Sequence, residues 1–378
     1  MAPASLASGT EKSHKAHTLT DSGGVEIADA GFSPIAEVAL SCVGIIANPQ
    51  SGKDIRRLVA LATTFSNHEK LLIVRRVMAG LEAAQVEEAL VLDDAGSLGR
   101  AACEAHREGG TRKKMRVRLI DVDARGESVD TVRVAARMRE EGAACIVVLG
   151  GDGTSRAAAK GCGSCPLVPL STGTNNAFSQ AWEGTVAGLG AGLYARMPRR
   201  YARQVASSKR LVVHLSGESE MALVDVALVN EAFAGSRAVW DTDLLEALAL
   251  TRCRPGGLGL SALGASIDPI SAEEPEGLWI EFARGGGRGK QVLSPIGPGL
   301  VASARIKKSK RILPGHRIEI SGRAGQVLAF DGEREYVLGD GERVGIELDR
   351  KGPRVLNIPE VLERAARKGH LSCKGRAG

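Results

Sequence analysis

The residues best suited to chemistry form one run, Gly150-Gly151-Asp152-Gly153-Thr154, between the apolar stretch Ala144–Leu149 and a helical segment, Ser155–Lys160. Three glycines at a strand-to-helix turn predict a phosphate cradle. They allow positive φ and let a polyphosphate come close to the backbone amides. The helix N-terminus behind them adds donors and partial positive charge. Asp152 is foreign to a purely anion-binding loop. A carboxylate beside phosphates must hold a metal, take a proton or be kept away from them. The alternative is a tight turn in which the aspartate caps the helix.

Two further segments end strands in the same way. Asn48-Pro49-Gln50-Ser51-Gly52-Lys53 follows Val43–Ala47. It is not a Walker A loop, because no glycine precedes Gly52 by five residues and no Ser or Thr follows Lys53. It still offers an amide, a hydroxyl, an ammonium and a glycine turn. Ser171-Thr172-Gly173-Thr174-Asn175-Asn176 is a dense run of hydroxyls and amides. Ordinary loop chemistry explains each segment alone, but three polar strand ends together favour a shared ligand.

The elements that must position these residues follow a clear order. Val43–Ala47, Ala89–Leu92, Met115–Asp121 and Ala144–Leu149 read as strands. Asp54–Thr64, Glu69–Ala84, Leu98–Arg107 and Ser128–Glu141 read as helices, the last with Val129, Val132 and Ala136 on its buried face. This alternation predicts an open, mostly parallel α/β sheet, whose ligands bind beyond the carboxyl ends of the strands. After residue 200 the pattern changes to short strands at Arg210–Leu215, Ala222–Leu228, Leu278–Ala283, Arg317–Ser321, Gln326–Phe330 and Val344–Leu348. One helical stretch interrupts them, Thr242–Leu250. The expected organisation is a tail over 1–40, an α/β nucleotide-binding domain over 41–200, a β-rich domain over 201–355, and a C-terminal helix and tail over 356–378. Pro359–Lys368 would return to the first domain.

Composition narrows the classes. With 47 Gly but 43% apolar residues in 378, the chain is neither collagen-like nor disordered. Only 3% aromatic residues argue against stacking on single-stranded nucleic acid. No apolar run is long enough to cross a bilayer. The net charge of +6 suits a phosphate-bearing ligand or a plain solvated surface. The start, MAPASLASGTEK, lacks the apolar core of a secretory signal, and seven cysteines suit a reducing cytoplasm. Cys162-Gly-Ser-Cys165 lacks the second pair that a zinc site needs and follows a helix, so a turn explains it better than redox chemistry.

In combination, Asn48-Pro49…Gly52, Gly150-Gly-Asp-Gly-Thr154 and Gly173-Thr-Asn-Asn176 resemble the superfamily of ATP-NAD kinases and diacylglycerol and sphingosine kinases. Asn230-Glu231 resembles the pair that holds the dinucleotide in NAD kinases. Leu293-Ser-Pro-Ile-Gly-Pro298 and Phe330-Asp331-Gly332-Glu333 resemble two later segments. The nearest likeness is to the acetoin catabolism protein X branch. The resemblance spans about residues 43–358. It implies the NAD kinase/diacylglycerol kinase-like fold, ATP or polyphosphate as donor, Mg²⁺ held through phosphates without an assigned protein ligand, and NAD as substrate or ligand. Asp152 would be the catalytic base. Asn48, Gly52, Gly150, Gly151, Gly153, Thr154, Thr172, Gly173, Thr174, Asn175 and Asn176 would bind nucleotide and phosphate. Asn230 and Glu231 would bind the acceptor, and Asp331 with Glu333 would form a second acidic site or a plain β-turn, since Asp-Gly is a common hairpin signal. Partners would be small nucleotides, without nucleic acid or stable membrane association, and a homo-oligomer is compatible with this. The departures concern the acceptor. Arg254–Ala262 lacks most hydroxyls of the matching NAD-kinase segment, and Glu333 stands where lipid kinases also carry Glu. A lipid kinase and a non-catalytic nucleotide-binding accessory protein therefore remain alternatives.

Overall fold

The computed structural model describes residues 40–52, 61, 65–108, 115–173, 175–230, 241–284 and 287–372. The expected tail, the helix over 54–64, Lys53, Thr174 and Glu231 lie wholly or largely outside these residues. In the first half, strands β1 (Cys42–Ala47), β2 (Glu88–Leu92), β3 (Arg116–Ile120), β4 (Cys145–Gly150) and β5 (Leu167–Ser171) alternate with helices. The helices are α1 (Asn67–Ala83), α2 (Leu98–Glu108), α3 (Ser128–Glu140), α4 (Asp152–Gly161) and α5 (Gly184–Arg196). These strands pair in parallel in the order β3-β2-β1-β4-β5. β1 and β4 are buried along their whole length, as expected for strands covered by helices on both faces. Strand order reverses between β1 and β4, so their carboxyl ends open a crevice.

The second half contributes β6 (Val205–Ser207), β7 (Arg210–His214), β8 (Ser219–Ala222), β9 (Asp225–Val229), β10 (Leu245–Leu250) and β11 (Gly277–Phe282). The short α6 (Leu260–Ala265) precedes β11. Then come β12 (Lys290–Gly297), β13 (Leu300–Ile312), β14 (Arg317–Ser321), β15 (Val327–Phe330), β16 (Glu333–Val337), β17 (Arg343–Asp349) and β18 (Arg354–Leu356), with α7 (Ile358–Arg367) last. A seven-stranded antiparallel sheet, β12-β13-β11-β10-β9-β15-β16, packs on a four-stranded one, β14-β17-β7-β8. β6 and β18 lie in the first sheet, β18 parallel to β5. Ile358, Val361 and Ala365 of α7 enter the core of the first half, so the chain does return there.

Several expectations change. Thr242–Leu250 is a 3₁₀ turn followed by β10, not a helix. Leu248 and Leu250 face one core and Ala247 and Ala249 the other, so burial on both faces hid the strand's period of two. In α3 the buried stripe is Thr131, Val134, Ala135 and Met138, whereas Val129 is exposed. α4 begins at Asp152 instead of Ser155. α5 escaped notice because four glycines depress its helix propensity. Those glycines allow close approach to α1: a β-carbon at Gly188 would stand 2.1 Å from the Val77 carbonyl oxygen. Cys162 and Cys165 end and follow α4, both buried, and burial pushes their thiols up to about 11 and about 12. Such thiols are poor nucleophiles, as a turn role requires.

Candidate functional site

A cleft of about 600 Å³ opens where β1, β4 and β5 end and the second half faces them. Asn48, Gly52, Gly151, Asp152, Gly153, Thr154, Thr172, Gly173, Asn175, Asn176, Asp331 and Glu333 all line it. Gly150 lies just behind. Asn230 does not join them: it is exposed and borders a separate polar concavity with Thr242, Gln291 and Arg305. Leu258–Ser261, ahead of and within α6, also line the cleft and belong to the Arg254–Ala262 segment singled out for its missing hydroxyls; Asp94, Gly126–Ser128 and Asp130–Val132 are walls that the sequence did not mark. Asp94 lies just ahead of α2 and accepts amides of its first turn, while Asp130 lies in the first turn of α3 and accepts amides that precede the helix, so both are readable in principle as acids at a helix start.

The glycines work by proximity. None of Gly150, Gly151 and Gly153 has positive φ, contrary to expectation, and Gly151 is extended at φ −92°. A β-carbon on Gly150 would lie 2.6 Å from the Thr154 side chain, and one on Gly151 would lie 3.2 Å from Asn176 Oδ1. Gly52 does adopt φ +68°, and a β-carbon there would stand 2.9 Å from the Thr172 carbonyl. The three loops are tied side chain to side chain. Asn48 Nδ2 donates to Thr154 Oγ1 at 2.9 Å and Thr172 Oγ1 to Ser51 Oγ at 2.9 Å, while within the third loop Asn176 Nδ2 donates to Ser171 Oγ at 2.7 Å. The amides of Gly153 and Thr154 fall in the first turn of α4, where a helix supplies no carbonyl partner, and they border the cleft. The buried Lys70 ammonium donates to the Pro49 carbonyl at 2.9 Å and steadies the first loop.

Two aspartates that sequence marks as chemical are fully engaged. The Asp152 carboxylate accepts from Ala177 N at 2.7 Å, Ser179 N at 2.8 Å and Phe178 N at 3.2 Å. Burial raises its pKa, against these donors. Asp331 accepts from Leu223, Val224 and Asp225 amides between 2.8 and 3.3 Å. Burial pushes it up to about 6, opposed by the Arg156 guanidinium and assisted by the Asp152 charge. Asp331 and Gly332 have φ +50° and +82°, the two positive values a tight two-residue hairpin turn needs between β15 and β16. That turn presents Glu333 to the cleft. A β-carbon on Gly153 would stand 3.8 Å from Glu333 Oε1. Among the described residues no hydrogen bond or ion pair engages the Glu333 carboxylate. The only cationic side chains among the described residues of the lining are Arg156 and Lys160, and both are paired, Lys160 Nζ at 2.7 Å from Glu220.

An anion can therefore dock at the N-terminus of α4 while a free carboxylate waits opposite. Residues 43–194 match the family described as the ATP-NAD kinase N-terminal domain, and residues 209–351 the acetoin catabolism protein X C-terminal domain. Acetoin catabolism protein X of Cupriavidus necator is 36% identical over 332 residues, covering 86% of this chain and 92% of that protein. Among solved structures, yeast NADH kinase complexed with NADH aligns over 90% of each chain, with TM-score 0.47 and 15% identity. An NAD kinase from Archaeoglobus fulgidus in complex with ATP aligns over 76% of this chain and 99% of its own, with TM-score 0.35 and 14% identity. The identity and coverage of the Cupriavidus relative show that the chain belongs to the acetoin catabolism protein X family.

Proposed function

We propose that this protein is an NAD kinase-like phosphotransferase of the cytoplasm. It would move the terminal phosphoryl group of ATP, or of polyphosphate, to a ribose hydroxyl of NAD or a related nucleotide, in support of acetoin catabolism. One observation carries the reading: the glycine-lined start of α4 faces the unengaged Glu333 carboxylate across the cleft. Phosphoryl transfer is mainly positioning and charge stabilisation. The Gly153 and Thr154 amides receive phosphate oxygens, and Asn48 holds the Thr154 hydroxyl in place. Glu333 accepts the proton of the attacking hydroxyl as the new P–O bond forms and the donor's P–O bond breaks. Asp152, first expected as base, has both oxygens committed to backbone amides, so in this reading it organises residues 177–179. Asn175 and Ser261 line this cleft, whereas Asn230 does not, so in this reading they are the better candidates for holding the acceptor.

Mg²⁺ fits this donor set as a phosphate-borne ion. The described lining carries eight carboxyl groups against Arg156 and Lys160, so a polyphosphate needs its charge neutralised on entry. No cluster of three metal-ligating side chains occurs among the described residues. When bound, the ion would offset charge on the transferring group. The engaged state of Asp152 also favours a second reading, a nucleotide-binding accessory protein without turnover. A radiolabel-transfer screen of ATP and polyphosphate against NAD, NADH and diacylglycerol decides between them. Transfer to NAD that Glu333→Gln abolishes supports the kinase. Nucleotide binding without transfer to any acceptor supports the accessory protein, and transfer to diacylglycerol alone overturns both.

A further inference from the structure

Arg156 lies in α4, one helical turn beyond Gly153, with its side chain 8% exposed. Its guanidinium reaches across to the second half of the chain. Nε stands 3.5 Å from Asp331 Oδ2, Nη2 pairs with Glu335, and Nη1 donates to the Met221 carbonyl at 3.4 Å. Its carbon lies 5.5 Å from the Phe330 ring centroid. The two carboxylates it holds, 331 and 335, flank Glu333 on either side in the hairpin. The residue between them is the acid that faces Gly153.

We propose that Arg156 is a positioning residue: by gripping Asp331 and Glu335 from α4, it fixes the distance between Glu333 and the phosphate-binding start of the same helix. The planar fork of arginine suits two acceptors at once, whereas the ammonium of lysine is a single point of charge. Ahead of Glu333 the hairpin is anchored through the Asp331 carboxylate and the Gly332 amide on Asp225, and behind it through the ladder to β15 and the Tyr336 hydroxyl on Glu342. Glu335 is the residue behind Glu333 that ties this strand to α4. Without Arg156 the strand that carries Glu333 keeps its turn but loses its hold on α4. Arg156 thus links the phosphate-binding helix directly to the strand that carries Glu333, whereas Lys160 of the same helix reaches Glu220 instead.

The catalytic part of this proposal rests on the kinase reading, so the test has two independent readouts. Arg156→Lys and Glu335→Gln are compared with the unaltered chain. In phosphate transfer, kcat falls at least 30-fold for Arg156→Lys and less for Glu335→Gln, KM for ATP changes less than threefold, and the acid limb of the kcat–pH profile moves. A loss confined to KM, or activity that simply tracks the folded fraction, overturns the proposal. If the unaltered chain transfers no phosphate, the kinase reading fails by itself, and hydrogen exchange still reads the positioning. Amides of 333–337 exchange at least 10-fold faster in Arg156→Lys, while those of β1 and β4 are unchanged. Equal exchange in both proteins overturns it.

Discussion

At the scale of single residues, the site separates carboxylates that build from one that is free to react. Asp152→Asn replaces an acceptor of three amides by a group with one acceptor oxygen, so a buried N–H loses its partner. The expected cost is ~1–3 kcal/mol of stability, with turnover falling as the 177–179 loop loosens. Glu333→Gln should leave stability and nucleotide affinity within experimental scatter and lower transfer by ~10²–10⁴, the usual worth of a general base. Urea melts and transfer rates of both variants check this, and the reverse ranking would sink the assignment. Asp331 gives a pH signature. Its folded pKa, about 6, lies above its ordinary value of 3.8, so the native state binds the extra proton. That stability is present below about pH 4 and lost as pH rises through 6. The stability difference between the unaltered chain and Asp331→Asn should therefore shrink from pH 4 to 7 in urea titrations. A constant difference would refute it. The sequence exposed these acids through their Gly neighbours but could not rank them. Which carboxylate is satisfied depends on amides at 177–179 and 223–225, supplied by other parts of the fold.

At the scale of elements, alternation made the parallel sheet legible, since β1 and β4 are short apolar runs between well-marked helices. The Asp-Gly turn before Glu333 was legible too, because only a few residue types tolerate two positive φ values. β12 and β13 were missed. β13 alternates only as far as Lys307, after which Lys307–Arg311 are all exposed, so its charged second half carries no period of two, and an edge hairpin buries only one face. α5 was missed for the opposite reason, its glycines being chosen for contact and not for helix propensity. This contact is testable. Gly188→Ala drives a methyl group to 2.1 Å from the Val77 carbonyl oxygen, which α1 can relieve only by moving. Gly190→Ala meets only the Ile358 side chain, at 2.9 Å, and a side chain can rotate. We expect ~1–3 kcal/mol lost for Gly188→Ala and clearly less for Gly190→Ala, by chemical denaturation. Equal losses would mean the helix crossing is looser than the geometry shows.

At the scale of the whole molecule, the charge of the chain and the charge of its cleft have opposite sign. The chain carries +6, yet eight carboxyl groups line the cleft among the described residues, against two cations already paired. Five of those acids, Asp94, Asp130, Asp152, Asp225 and Asp331, are stabilised by backbone amides, which localises their charge without cancelling it. The basic surface can draw an anionic nucleotide toward the protein at low ionic strength. It cannot seat a bare triphosphate against the remaining carboxylates, because only helix-start amides oppose that repulsion. No aromatic ring lines the described cleft, so stacking on the base adds nothing to offset it either. Binding should thus depend on the cation more than on the base. By calorimetry, ATP should bind at least 10-fold more weakly with EDTA than with Mg²⁺, while ATP and GTP differ by less than that when Mg²⁺ is present. Adenine-selective binding that ignores EDTA would show that the nucleotide is held elsewhere, by its base and not by its phosphates.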